Sequence, residues 1–254
     1  HLRRAASLRA LLERLPEVGS IIVVDDASTV DLPLSAPIRV LRNDRARGPA
    51  AARNRALDHV RTPLILFLDA DIELPPSASE EAFWSPLLVH MNDTSIALVA
   101  PRVRSSPGPS PLQRYEMSSS PLDLGPTPGL IRPRTRIAYV PSAAIMVRTD
   151  VLRSLGGFDE ALRFGEDVDL VWRLSTTNYR ARYEPCVEIF HQPRSTWWEL
   201  IVQRFHYGTS AAPLEQRHPG VARPLRLSKV GAASVALVAT GHPVIAGGVT
   251  MDAI

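Results

Sequence analysis

Leu64-Ile65-Leu66-Phe67-Leu68-Asp69-Ala70-Asp71 is the stretch on which the fold turns. Its unbroken apolar run of five residues makes it the clearest strand in the chain. The run leads straight into Asp69, so two carboxylates on alternate residues stand at the strand's carboxyl end.

The flanking sequence repeats this grammar. Upstream, Leu2, Leu8, Leu11, Leu12 and Leu15 fall at helical spacings before Pro16 and Gly19, and Ile21-Ile22-Val23-Val24 is a second buried strand ending in Asp25-Asp26. Ile38 to Leu41 is a third strand, and Gly48 to Val60 an Ala-rich helix. Downstream come a helix from about 79 to 91, a strand at 96–100 and a long Ser-, Pro- and Gly-dense loop from Pro101 to Pro133. Beyond it, 137–147 reads as a strand, 149–155 as a short helix before the turn Gly156-Gly157, and 167–174 as a helix. Short strands at 179–183 and 187–190 precede a helix at 197–207. Alternating strands and helices predict an α/β domain with a mainly parallel sheet flanked by helices. In such sheets ligands bind at the carboxyl ends of strands, where both acidic motifs fall.

Composition narrows the function classes. The 254 residues are 45% hydrophobic and 22% charged, ordinary for a globular chain. The formal net charge is +3, and Lys229 is the only lysine. So mild a balance, without basic runs, gives no case for nucleic acid but suits an anionic nucleotide substrate. The single cysteine, Cys186, precludes an intrachain disulfide and favours a reducing, cytoplasmic setting. No signal peptide is evident, and the opening helix without a preceding strand or initiator Met is expected of a fragment lacking its first strand. From Val230 to Val249 no charged residue occurs. That length can reach across a bilayer, but His242-Pro243 and several glycines interrupt it, so a membrane segment at the inner face of the plasma membrane and a buried hairpin both remain open. The expected organisation is one α/β domain over 1–225 and an apolar segment over 226–254.

Chemistry concentrates in four places. Asp69 and Asp71 can bring oxygen ligands to a hard cation, Mg²⁺ or Mn²⁺, that also takes substrate phosphates; a strand-end turn is the bland alternative. His191, after the apolar run 187–190, is the expected imidazole that completes this metal shell, with a purely structural histidine as the alternative. Asp25 and Asp26 are expected to accept a hydrogen bond from a base N–H, although Asp25 serves equally as a turn residue. Gly48 permits close approach of backbone to a ligand, while Arg53 and Asn54 offer donors to phosphate or a base edge. Finally, Gly165-Glu166-Asp167 opens a helix beside aromatic groups. Asp167 is the candidate base that removes an acceptor proton, with Glu166 orienting the acceptor; N-terminal helix capping competes with that reading, most strongly for Asp169. Trp172, Trp197 and Trp198 suit either a sugar face or the core.

Taken together, VVDDAS (23–28), GPAAARN (48–54), FLDAD (67–71), GGFDE (156–160) and GEDVDLVWRL (165–174), in this order, resemble the family 2 glycosyltransferases of the GT-A fold. The resemblance spans roughly 21–191. It implies an inverting, metal-dependent transfer of a hexose, foremost glucose, from a UDP-sugar. Asp26 would lie on the base, Asp69-Ala70-Asp71 on the metal-bound diphosphate, and Asp167 would act as base. YVPSAAIMV (139–147) and RFHYGTSAAPLEQRHPG (204–220) resemble a narrower branch whose acceptor is a peptide-derived redox cofactor. A polyprenyl-phosphate acceptor at the membrane, or an inactive sugar-nucleotide-binding domain, are the alternatives. An oxidoreductase is disfavoured because no GxGxxG follows a strand.

Overall fold

The computed structural model describes residues 2–16, 19–29 and 38–221. The chain divides into two compact units, residues 1–219 and 220–254. The uncharged stretch 230–249 and the boundary expected at 225/226 lie outside the described residues.

Helix α1 (Leu2–Leu12) buries Leu8 and Leu11. Strand β1 (Ile21–Asp25) pairs in parallel with β2 (Ile38–Arg42), Ile21 opposite Ile38 and Asp25 opposite Arg42. Helix α2 (Pro49–Leu57) starts with Pro at its first position, where a missing N–H costs nothing. Then follow β3 (Leu64–Leu68), β4 (Ile72–Glu73), a 3-10 turn (Pro76–Ser79), α3 (Glu81–His90), β5 (Ile96–Ser105), α4 (Pro111–Ser119), β6 (Gly129–Ile131), β7 (Ala144–Arg148), α5 (Thr149–Ser154), α6 (Glu166–Leu174), β8 (Arg180–His191), α7 (Trp197–Thr209) and α8 (Ala211–Arg217).

The larger sheet runs β3-β7-β5-β8-β4, with β6 beside β8. Strand β5 is buried from Ile96 to Pro101, as a strand covered on both faces must be. Its neighbour β7 contributes Ala144, Ile145, Met146 and Val147, all buried. The α/β architecture is as expected, but the strand directions are mixed. Only β1–β2 and β5–β8 are parallel among the described residues, whereas β3–β7, β5–β7, β4–β8 and β6–β8 are antiparallel. Alternation in sequence does not fix direction: after the long excursion 106–143 the chain re-enters between β3 and β5, antiparallel to both. Strands β1 and β2 form a sheet of their own, and β3 is an edge of the larger one.

Three expected elements differ. The loop predicted over 101–133 contains the end of β5, β6 and the whole of α4. That helix is capped by Ser110, whose Oγ accepts from Gln113 N–H at 3.2 Å while Ser110 N–H donates to Gln113 Oε1 at 3.0 Å, a reciprocal box worth about 1 kcal/mol. The strand expected over 137–147 begins only at Ala144; Ile137 and Val140 are buried in an irregular segment, so burial rather than pairing produced their apolar pattern. The two strands expected around Pro185 are one, β8, with a register shift against β5 where Pro101 pairs Glu184 but Arg102 pairs Glu188. Pro185 has no N–H for the ladder and sits in that bulge.

Candidate active site

Strand β3 carries its carboxylates out of the core. Phe67 is buried edge-on against Phe158, centroids 5.4 Å apart. Asp69 N–H donates to Ala143 O at 2.9 Å and Ile72 N–H to Asp69 O at 3.1 Å, which turns the chain at once after the strand. Ala70 is exposed at the turn. Strand β4 then pairs antiparallel with the end of β8, Ile72 opposite His191. That pairing brings His191 Nε2 to 3.1 Å from Asp71 Oδ2. Burial pushes the Asp71 carboxyl upward, but the bond from His191 and the charges of His191 and Arg194 outweigh it and hold the group below the usual carboxylate range. Glu73 accepts from the Ser106 hydroxyl.

Asp69 is turned elsewhere. Its Oδ1 accepts from Arg53 Nη2 at 2.7 Å, and Arg53 Nη1 donates to Glu166 Oε1 at 3.0 Å. The buried guanidinium also stands over the Phe158 ring, 5.4 Å from its centroid. Arg53 therefore joins the end of β3 to the start of α6. Among the described residues no three His, Cys, Asp or Glu side chains converge as a ligand set. Asp71 and His191 are brought together, and Asp69 is held by Arg53 instead.

The remaining expected ligands of the nucleotide close loops. Asp26 accepts from Asn43 Nδ2 at 2.6 Å and from the backbone N–H groups of Arg47 at 3.0 Å and Gly48 at 2.8 Å. Burial raises its pKa, but these donors together lower it below the ordinary value. Asp25 is buried, accepts from Ser28 N–H at 2.8 Å and faces Arg42 at 3.5 Å, the arrangement of a turn residue. Asn54 Nδ2 donates to Phe158 O and its Oδ1 accepts from Phe158 N–H, each at 2.8 Å, latching the 156–160 turn onto α2. Gly48, at φ 93°, adopts a conformation that suits glycine.

Helix α6 supplies the acidic pair. Gly165 is left-handed, φ 84°, and directs the chain into Glu166 and Asp167. Glu166 is buried on Arg53, while Asp167 is half-buried, accepting from Val168 N–H at 2.8 Å and Ser142 N–H at 3.4 Å. Burial and then the negative charge of Glu166 push the Asp167 carboxyl up to about 6, against the opposing pull of those N–H groups and Arg53. Asp169 is buried on the opposite side of the helix. Two tyrosine hydroxyls feel the Asp167 charge. Burial raises the pKa of Tyr139 and Tyr207, and the Asp167 charge adds to it in both. Trp172 belongs to the core and donates to Ala138 O at 3.1 Å, whereas Trp197 and Trp198 are exposed.

Such a site, with paired acids at a helix start and carboxylates at a strand end, can be compared with known proteins. The model of "Glycosyl transferase family 2" matches residues 5–155, more than half of the chain. The pre-mycofactocin glycosyltransferase of Mycobacterium tuberculosis is 40% identical over 231 residues, covering 88% of this chain and 48% of that protein. The chain thus spans about half the length of this curated relative. Among solved structures, the mannosyltransferase PcManGT of Pyrobaculum calidifontis, in complex with GDP-Man and Mn²⁺, superposes with a TM-score of 0.59 at 17% identity. It covers 98% of this chain and 70% of its own. TarS of S. aureus, residues 1–349 in complex with UDP-GlcNAc, gives 0.55 at 18% identity over 76% of this chain and 55% of its own. These likenesses identify the fold as GT-A.

Proposed function

Because this chain belongs to glycosyl transferase family 2, we propose that it moves a hexose, foremost glucose, from a UDP-sugar to an acceptor hydroxyl with inversion. The acceptor we assign is the peptide-derived precursor named in its relative, pre-mycofactocin. The observation that carries the reading is Asp167, a half-buried carboxyl raised to about 6 at the mouth of α6. A base of that strength is ionised at neutral pH yet basic enough to accept a proton from a hydroxyl as the hydroxyl attacks. In a single displacement the acceptor oxygen bonds to the anomeric carbon, its proton passes to Asp167, and the bond to the UDP oxygen breaks on the opposite face. Glu166, fixed by Arg53, orients the acceptor. Asp25, Asp26, Gly48, Arg53, Asn54, Asp69, Ala70 and Asp71 are the residues assigned to the nucleotide sugar.

The facing Asp71 and His191 fit a divalent cation, and Asp69 stands two residues from Asp71 at the same strand end. Carboxylate oxygen with one imidazole nitrogen suits Mn²⁺ or Mg²⁺, ions that commonly take one or two carboxylates and complete their shell with phosphate and water. Such a donor set needs no protein cage of three. Mn²⁺ in a structural neighbour supports the assignment. Bound there, the ion would supply positive charge beside the departing diphosphate. UDP-glucose binding measured by calorimetry should disappear in excess EDTA and return with Mn²⁺; unchanged affinity in EDTA refutes the metal assignment. Asp167→Asn should abolish turnover of UDP-glucose while keeping UDP affinity within a few-fold, and normal turnover refutes the base.

A second reading, a polyprenyl-phosphate acceptor at a membrane surface, draws support from α7. Trp198 and Phe205 on that helix are 72% and 70% exposed, with Trp197 and Ile201 beside them on the same face. No described helix is long and apolar enough to cross a membrane, so this reading concerns contact with a surface.

A further inference from the structure

The segment following α7 takes no part in the chemistry above, yet it is fastened to the rear of α6. Gly165 has no room behind it: an added Cβ would meet Ser210 Cβ at 2.9 Å and Leu214 Cδ1 at 3.1 Å. At the end of α8, His218 Nε2 lies 2.8 Å from Asp169 Oδ1, and its ring meets Trp172 edge-on at 5.3 Å. The neighbouring Arg217 Nε donates to Asp159 Oδ2 at 2.6 Å. The other Asp169 oxygen accepts from Arg173 Nε at 2.7 Å. The Arg173 guanidinium also donates to Leu155 O at 2.7 Å and Gly157 O at 2.8 Å. The line of contacts from His218 through Asp169 and Arg173 to the 156–160 turn reaches Phe158, under Arg53, and so returns to Glu166.

Asp167 and Asp169 are two residues apart, about 200° around a helix. A side chain pinned at the rear therefore sets where the front one points. We propose that His218 is a positioning residue for Asp167, its bond to Asp169 fixing the roll of α6 that aims the carboxyl into the site. A roll of about 10° would swing a carboxyl some 6 Å from the axis by roughly 1 Å, a displacement of the kind that costs on the order of 100-fold in rate. The groups facing Asp167 are Glu166 on its own helix, Arg53 on α2, Ser142 N–H and Tyr139 on the segment before β7, and Tyr207 on α7. Those facing His218 are Asp169 and Trp172. The inference rests on reading Asp167 as the base.

The test uses the full chain with His218→Ala and His218→Gln, the latter returning a donor. Asp side-chain carboxyls are labelled with ¹³C, and the Asp167 signal is assigned by its loss in Asp167→Asn. His218→Ala should move the Asp167 titration midpoint by half a pH unit or more. It should also lower kcat for UDP-glucose hydrolysis at least tenfold with KM within twofold, and His218→Gln should recover most of both. A midpoint that stays within half a unit overturns the proposal, and the midpoint decides where the two readouts differ. Should His218→Ala not fold, Asp169→Asn, which keeps the shape, is held to the same criterion. If the parent chain hydrolyses no UDP-glucose, the functional reading fails, and the carboxyl midpoint still decides the role of His218.

Discussion

With Asp167 as the base proposed above, the demands of reaction and stability oppose each other at one carboxyl. Its carboxyl is raised from 3.8 to about 6 by burial and by Glu166. Between those values the folded chain binds more protons than the unfolded one, so stability falls as pH climbs through the window. The rate should move oppositely, rising with pH through about 6 and levelling above it as the base ionises; a pH–kcat profile on UDP-glucose measures this. Asp167→Asn removes the penalty as well as the base. It should gain on the order of 1–3 kcal/mol at pH 7 in urea unfolding while losing turnover. The acid itself was legible in sequence, because Gly165-Glu166-Asp167 announces a helix start. What raises its pKa was less so. Arg53 reaches both Asp69 and Glu166, residues 16 and 113 positions away, and no local pattern encodes such a triangle. Tyr139 was invisible for the same reason, since only the fold brings its hydroxyl to Asp167.

Elements carry a second set of consequences. The turn at Gly156-Gly157 is held against α2 by Asn54, and an added Cβ on Gly157, at φ +74°, would lie 2.4 Å from Asn54 Oδ1. Gly157→Ala therefore meets both backbone strain and a clash with the residue that fixes Phe158. It should cost about 2 kcal/mol or more in urea unfolding, whereas Gly156→Ala, with open space around it, meets strain alone and should cost less. Helix α7 buries only Leu200 and turns its larger apolar side chains outward. If that face meets anionic phospholipid vesicles, the chain should co-sediment with them and Trp197→Ser with Trp198→Ser should release it; no co-sedimentation of the parent chain counts against the polyprenyl reading. Element types were largely readable from apolar runs and glycine turns. The failure at α4 was avoidable, because Ser110-Pro111 followed by Gln113 is a helix start in plain view. The failure at β7 was not, since burial of Ile137 and Val140 imitates a strand without one.

Across the whole molecule, the motifs fall where sheet and helix ends converge, which is why their order in sequence was informative before any geometry. Strand direction was the weak point of that reading, because connectivity through a long irregular excursion does not reveal which way the chain returns. One detail of the sheet has a further effect. Between Pro101–Glu184 and Arg102–Glu188, β5 advances one residue while β8 advances four. The three extra residues are an odd number, and side chains alternate faces along a strand. The bulge thus selects the side of the sheet to which His191 belongs. Deleting Cys186 alone should flip that parity and separate His191 from Asp71, abolishing Mn²⁺-dependent UDP-glucose binding. Deleting Cys186 and Val187 together should preserve it, at a cost in stability from the lost buried valine. Calorimetric titration of the two deletions makes the comparison. By this count, the segment around Pro185 can change length in evolution by twos but not by ones.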